Sequence, residues 1–197
     1  MATFAELVAD VYTLTNRPDL VAETALAVKA ATLKMHQTDF YPKDLTETGI
    51  AWASPDYYQS LEYRTLFPRW RAYKFLRKYD ASASLPGEMF SLLTPEQIFD
   101  SYGVEKTDIC YLAGEMIEIK SSTIDTNMLI GYYQNPIVAE TGFNSWVALD
   151  HPYAIVYEAA RMVFKQVGFD EQASQMNQIV GEQIALIRTS NIVAYGE

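Results

Sequence analysis

The sequence predicts a mainly α protein of the α+β class. The expected form is a four-helix bundle, two N-terminal and two C-terminal helices, with a central antiparallel β insertion and an extended C-terminal tail. Three observations predict it. Apolar residues recur at spacings of three and four near both ends of the chain. The middle is rich in Tyr, Trp, Phe, Thr and Ile, which suit a pleated surface. Asn, Pro and Gly punctuate the joins. The expected division is a bundle over 1–44 and 141–189, a β-rich insertion with one short helix over 45–140, and a tail over 190–197.

The first helix opens on Thr3 and Glu6, the T-x-x-E spacing of a capping box. Phe4, Leu7, Val8 and Val11 follow at helical spacing, and Asn16 and Pro18 end it. The second helix carries Leu20, Thr24, Ala27, Val28, Ala31 and Met35 on one face and stops near Asp39–Pro42. In the insertion, Leu61–Leu66 and Arg69–Tyr79 read as strands. Thr94, Pro95 and Gln97 read as the start of a short helix over 95–102, with Gly103 as its stop. Ile109–Leu112 and Glu115–Lys120 read as a hairpin turning at Ala113-Gly114, with Asn127–Tyr133 as the third strand of an antiparallel meander. His151-Pro152 opens a third helix with Tyr153, Val156, Tyr157, Ala160, Val163, Phe164 and Val167 in its stripe. Asp170 opens the fourth, with Ala173, Met176, Val180, Ile184 and Ile187 inward. Thr189–Glu197 shows no helical stripe and reads as an extended tail.

Composition narrows the function classes. The chain has 197 residues, 49% hydrophobic, enough for one domain or one domain with an insertion. No apolar run reaches the roughly 20 residues that a membrane helix needs, so no membrane partner is expected. The N-terminus has a helical pattern rather than that of a signal peptide, so the chain is expected to stay where it is made. Cys110 stands alone, which excludes an internal disulfide and suits a reducing cytosol. The net charge is −10, all of it from residues 81–197. Such a chain does not grip nucleic acid through its overall field, but it can border DNA without sticking to it.

Candidate chemistry is sparse. Cys110 with His151 and Asp150 is a conceivable thiol site, but Cys110 sits in a predicted strand and reads as a small apolar residue. His36 and Asp39 are a conceivable metal pair, but a histidine in the last turn of a helix has a simpler reading there. Glu115 and Glu118, three apart on a strand, point to opposite faces and do not form a hydrolytic pair. No phosphate loop or nucleophile elbow is present. The chain is therefore expected to be no enzyme, with no cofactor, metal or catalytic residue. One charged feature stands out: Arg64, Arg69, Arg71, Lys74, Arg77 and Lys78 interleave with Phe67, Trp70, Tyr73, Phe75 and Tyr79. A basic-aromatic stripe of this kind suits a subunit contact against an acidic neighbour, the plain exposed basic face of a strand pair, or alternatively single-stranded nucleic acid.

Four features resemble one known family. They are TFAELVADVYTLTNRPDLVAETALAVKAATLKMHQTDFYPKDL, the pair CYLAGEMIEIKSS and LIGYYQNP, the segment DHPYAIVYEAARMVFKQVGFDEQASQMNQIVGEQIALI, and the helix–β–helix order. Together they resemble the head-to-tail adaptor (connector) subunits of tailed bacteriophages. The resemblance implies a structural virion protein forming a homo-oligomeric, dodecameric ring at the head–tail interface, assembled in the bacterial host cytoplasm. Its implied partners are the portal protein, tail or tail-completion proteins, and passing DNA bound without sequence specificity. It also implies that the C-terminal segment docks on the portal, with Ile192, Val193 and Tyr195 as anchors. The alternative is a nucleic-acid-associated or regulatory protein using the stripe 64–79.

Overall fold

The computed structural model describes residues 2–52, 56–80, 85–99, 103–123 and 127–195, and the side chains of 80, 85, 86 and 192–195 lie outside this description. The chain divides into two compact units, Met1–Asp44 with Asn135–Glu197, and Leu45–Gln134. Among the described residues there are six α-helices and two four-stranded sheets, with 28% of residues in strands. The mainly α bundle with a single small β insertion is therefore incorrect. The strand content makes the β part a second body with its own core, rather than an appendage.

The helical unit begins with α1 (Phe4–Thr15) and α2 (Val21–Gln37). The Thr3–Glu6 capping box forms, with Thr3 N–H donating to Glu6 at 2.7 Å, and Asn16 ends α1 in the left-handed region at φ 52°. After the insertion come α4 (Trp146–Asp150), α5 (Pro152–Gln166) and α6 (Asp170–Tyr195). α5 is the central helix and packs against α1, α2, α4 and α6. This explains why its buried arc is wider than a one-sided stripe: Ala154, Ile155, Val156, Ala159, Ala160, Val163 and Phe164 are buried, whereas Tyr153 is exposed.

The extended tail is a further correction, because α6 continues to Tyr195. Polar side chains bond back along the helix: Thr189 Oγ1 donates to the Ala185 carbonyl at 3.0 Å and Asn191 Nδ2 to that of Ile187 at 2.8 Å. Asn191 extends the buried side of Val180, Ile184 and Ile187 by one turn with a polar residue, which a hydropathy stripe does not reveal. Arg188 also donates to the Thr38 carbonyl at 2.9 Å, tying α6 to the end of α2.

The β unit is two stacked sheets. The first, in spatial order, holds β1 (Leu45–Ala51), β8 (Asn127–Gln134), β3 (Trp70–Asp80) and β4 (Leu85–Met89). The second holds β2 (Tyr58–Glu62), β7 (Met116–Lys120), β6 (Ile109–Ala113) and β5 (Ser91–Leu92). Leu76, Met128, Ile130 and Tyr132 from the first sheet share one core with Leu61, Cys110, Ile117 and Ile119 from the second. The single antiparallel meander is thus incorrect: the β6–β7 hairpin lies in one sheet and β8 in the other, and β5 pairs with β6 in parallel. The hairpin turns at Gly114-Glu115, with Gly114 at φ 62°. The predicted strand Leu61–Leu66 breaks after Glu62 into the single helical turn α3 (Tyr63–Leu66), where Tyr63 packs on Trp70 at 4.7 Å. The predicted helix over 95–102 is only a 3-10 turn, Pro95–Gln97, closed by Thr94 and Gln97, and residues 100–102 lie outside the described set.

One close approach constrains the first sheet. The Phe75 ring lies flat against Gly131 on β8, where a Cβ would overlap it, and the Arg77 guanidinium stacks on the ring 4.9 Å from its centroid. Gly131→Ala must push Phe75 off this stack. It is expected to lower the unfolding free energy by about 1–2 kcal/mol in urea titrations, with the slope unchanged.

Candidate functional site

Two sets of side chains have enough chemistry to be candidates. The first is buried in the helical unit. His36 near the end of α2, Asp44 in the turn Pro42–Asp44, and Ser145 at the N-cap of α4 form a chain of hydrogen bonds. His36 Nδ1 lies 2.7 Å from Asp44 Oδ1, and His36 Nε2 lies 2.9 Å from Ser145 Oγ. A carboxylate only accepts, so Nδ1–H donates to Asp44, and Nε2 of a neutral ring accepts from Ser145. Trp146 Nε1 donates to the same Asp44 oxygen at 2.8 Å. The Trp146 ring packs edge-on against His36 and Tyr41, and Lys43 lies over it.

This Ser–His–Asp connectivity is that of acyl-transfer enzymes. Its surroundings are not. Ser145, His36 and Asp44 are 2%, 1% and 3% exposed, and Ser145 Oγ already accepts the Ala148 N–H as a helix cap at 3.2 Å. A substrate carbonyl has no approach to Ser145 in this geometry. The network acts as a clamp: it joins the chain on either side of the insertion and satisfies the polar groups that do so. Sequence reasoning missed it because His36 and Ser145 are 109 residues apart. The available signal was local, a serine immediately before the helical W-V-A-L-D stretch.

A second buried charge cluster braces the same unit. Glu158 on α5 is fully buried, and it accepts from Lys34 at 2.7 Å and Arg161 at 2.6 Å. Burial pushes its pKa up, but Arg161 and Lys34 outweigh that and hold the carboxyl below its ordinary range.

The second candidate is the basic stripe, which the structure disperses. Arg64 on α3 pairs with Glu115 at 3.3 Å, both largely exposed. Arg69 and Arg71 flank the start of β3, Arg69 exposed and Arg71 half-buried. Lys78 turns inward to Asp108 at 2.8 Å. Lys74 and Arg77 remain together on the outward side of the first sheet, Lys74 over the Tyr133 ring at 6.0 Å and Arg77 over Phe75. The six residues therefore do not form one stripe. For Asp108, burial opposes ionisation, but hydrogen bonds from Lys78 and Ser122 prevail and bring its pKa down to about 2.

The remaining candidates are placed as follows. Cys110 is buried, its Sγ 3.3 Å from the Tyr73 hydroxyl, and burial pushes its thiol pKa up. His151 belongs to the helical unit and lies 3.2 Å from Ser190 Oγ; burial lowers its pKa. His36 partners Asp44 rather than Asp39, and Asp39 lies 3.5 Å from Arg188. Glu118 accepts from Tyr58 and Ser60 on the second sheet. Ile192, Val193 and Tyr195 fall in the last turn of α6, and their side chains lie outside the described residues. Among the described residues no cluster of three or more His, Cys, Asp or Glu could hold a metal, and no helix is long and apolar enough to cross a membrane.

No protein-family profile matches this chain, and neither does any curated protein sequence.

The clamp is tested by truncation. His36→Ala leaves Asp44 buried without its main partner and is expected to cost about 3 kcal/mol in urea unfolding, whereas Ser145→Ala, which loses a cap, costs about 1 kcal/mol. Asp108 titrates lower in the folded chain than its ordinary 3.8, so its stabilisation is complete above about pH 4 and fades as the pH falls through about 2. Asp108→Asn should therefore be less stable than the parent at pH 6, and the gap in thermal midpoint should close near pH 2.

Proposed function

We propose that this chain is a structural subunit of the head-to-tail connector of a tailed bacteriophage. On this reading it forms an adaptor ring of identical copies between portal and tail and continues the DNA channel. The chain is made in the host cytoplasm and resides in the virion.

The observation that carries the reading is a set of exposed apolar side chains on the helical unit. Val21, Leu26, Phe40, Leu149, Tyr153 and Leu186 are each more than half exposed. On a subunit of an assembly, exposed apolar residues of this kind are places for a neighbour to pack. The resemblance of the helix–β–helix sequence supplies the identity of the assembly. The net charge of −10 supports a wall that DNA passes without adhering. The end of α6, with Ile192, Val193 and Tyr195, remains the proposed portal contact, now as the end of a helix. The dispersal of the basic stripe weighs against the nucleic-acid alternative.

The test is mass by light scattering, alone and with the portal protein of the same phage. The expected result is a multiple-copy complex on the portal. Failure to bind the portal, together with salt-sensitive binding of single-stranded DNA, overturns the connector reading and restores the alternative.

A further inference from the structure

The two sheets differ on the sides turned away from their shared core. The second sheet shows a polar side, where Tyr58 and Ser60 donate to Glu118. An outward side of this kind suits solvent. On the first sheet the register places Leu129 of β8 between Gly49 of β1 and Arg77 of β3, with Met89 of β4 beyond. Phase along the strands adds Phe75 over Gly131, and Glu47 on β1 lies in the same row. Met89 is 53% exposed and Lys74 is exposed, whereas Phe75, Arg77 and Leu129 are half-buried and Tyr133 is buried, so this side is open around Met89 and Lys74 rather than throughout. It is a partly apolar sheet side with two cations held on aromatic rings and the exposed Glu47 carboxylate toward its β1 edge. Sheets of this character are ordinarily covered by helices.

The helical unit carries a surface of the opposite kind. Between α1 and α2 runs a groove of about 500 Å³, floored by Phe4, Val8, Tyr12, Val21, Ala22 and Ala25. Val21 is 62% exposed, and Leu26, further along α2, is 68% exposed. The alanines let another backbone approach closely. Glu6 and Asp10 stand exposed on α1, and Glu140 lines the groove with its carboxylate on Lys29 at 3.0 Å. The apolar areas match in character and the charges are opposite in sign.

We propose that the outward side of the first sheet receives the α1–α2 surface of a second copy of this chain, with Lys74 and Arg77 facing the acidic edge of α1. This inference rests on the connector reading and names the contact between its subunits. Each copy carries one surface of each kind. The contact therefore runs head to tail, and it closes into a ring when the rotation per copy allows. Lys74 and Arg77 suit the role because their aromatic supports hold them in place before contact, which lowers the ordering cost of binding.

The experiment cross-links copies in the portal-bound assembly. Asp10→Cys and Lys74→Cys chains are mixed, assembled and treated with a short bis-maleimide; Cys110, buried beside Tyr73, does not compete. The expected product is a covalent pair of one chain of each kind, absent when Asp10→Cys is mixed with Glu118→Cys from the other sheet. As a second arm, Lys74→Glu should weaken assembly about tenfold, and adding Asp10→Lys to the same chain should restore it. Circular dichroism confirms that each variant folds. A multiple-copy assembly without the 10–74 product, or with equal yield from the 118 control, overturns this contact and leaves the connector reading standing. Assembly unchanged by Lys74→Glu also overturns it. If the unaltered chain forms no multiple-copy complex with the portal, the connector reading itself fails and this contact fails with it.

Discussion

The helical unit is made of two stretches of chain separated by the whole β unit, and it exists only if those stretches hold together. The buried hydrogen-bond chain from Asp44 through His36 to Ser145 is the polar part of that hold. Asp44 is the last residue before the chain enters β1, and Ser145 starts the first helix after the chain returns. Around it the apolar core is continuous: Leu7 and Val11 from α1, Val28 and Met35 from α2, Val147 from α4, and Ile155 and Val163 from α5. Bringing distant stretches together costs loop-closure entropy, which grows only slowly with the length inserted. A large insertion is therefore tolerable, provided the join is specific. Apolar packing supplies most of the free energy; the hydrogen-bonded histidine, buried and exacting in geometry, supplies the register.

The β unit solves a similar problem by different means. Its two sheets are sealed by apolar side chains and fastened at one edge by Lys78, whose amine bonds Asp108, Ser122 and Thr123. Asp108 accepts this role in a left-handed backbone conformation, φ 56°, which an aspartate tolerates better than most residues. Using Lys78 inside the unit removes it from the outer surface. The charge that remains outside is thereby narrowed to a few positions, Lys74 and Arg77 among them. Interior bonding thus decides which part of a basic sequence is left on the outer surface.

Much of the helical unit was legible because its signals are local. The Thr3–Glu6 box, the left-handed Asn16 and the stripe ending at Ile187 each lie within a few residues of the structure they specify. The β unit was less so. Thr46, Thr48 and Ile50 alternate in a way that marks β1, yet the strand is short and its polar threonines resemble a loop. Without β1, β8 had no second neighbour, and the hairpin at Gly114 was assigned to the wrong sheet. The strand pattern over Leu61–Leu66 gives way after Glu62 to a helical turn in which Tyr63 packs against Trp70, a tertiary contact that strand propensity does not register. The candidate sites were least legible of all. The stripe 64–79 is contiguous in sequence, but strand bulges and the inward turn of Lys78 divide it, and the His36 network is contiguous only in space.

On the proposed reading, identical neighbours cover the exposed apolar side chains of the helical unit and the outward side of the first sheet. Electron microscopy of the chain mixed with the proposed portal partner tests that reading most directly. The account predicts a closed ring of identical subunits, with the helical unit of each copy against the β unit of the next. A single bound copy, or a ring whose subunits touch only through their helical units, would contradict it.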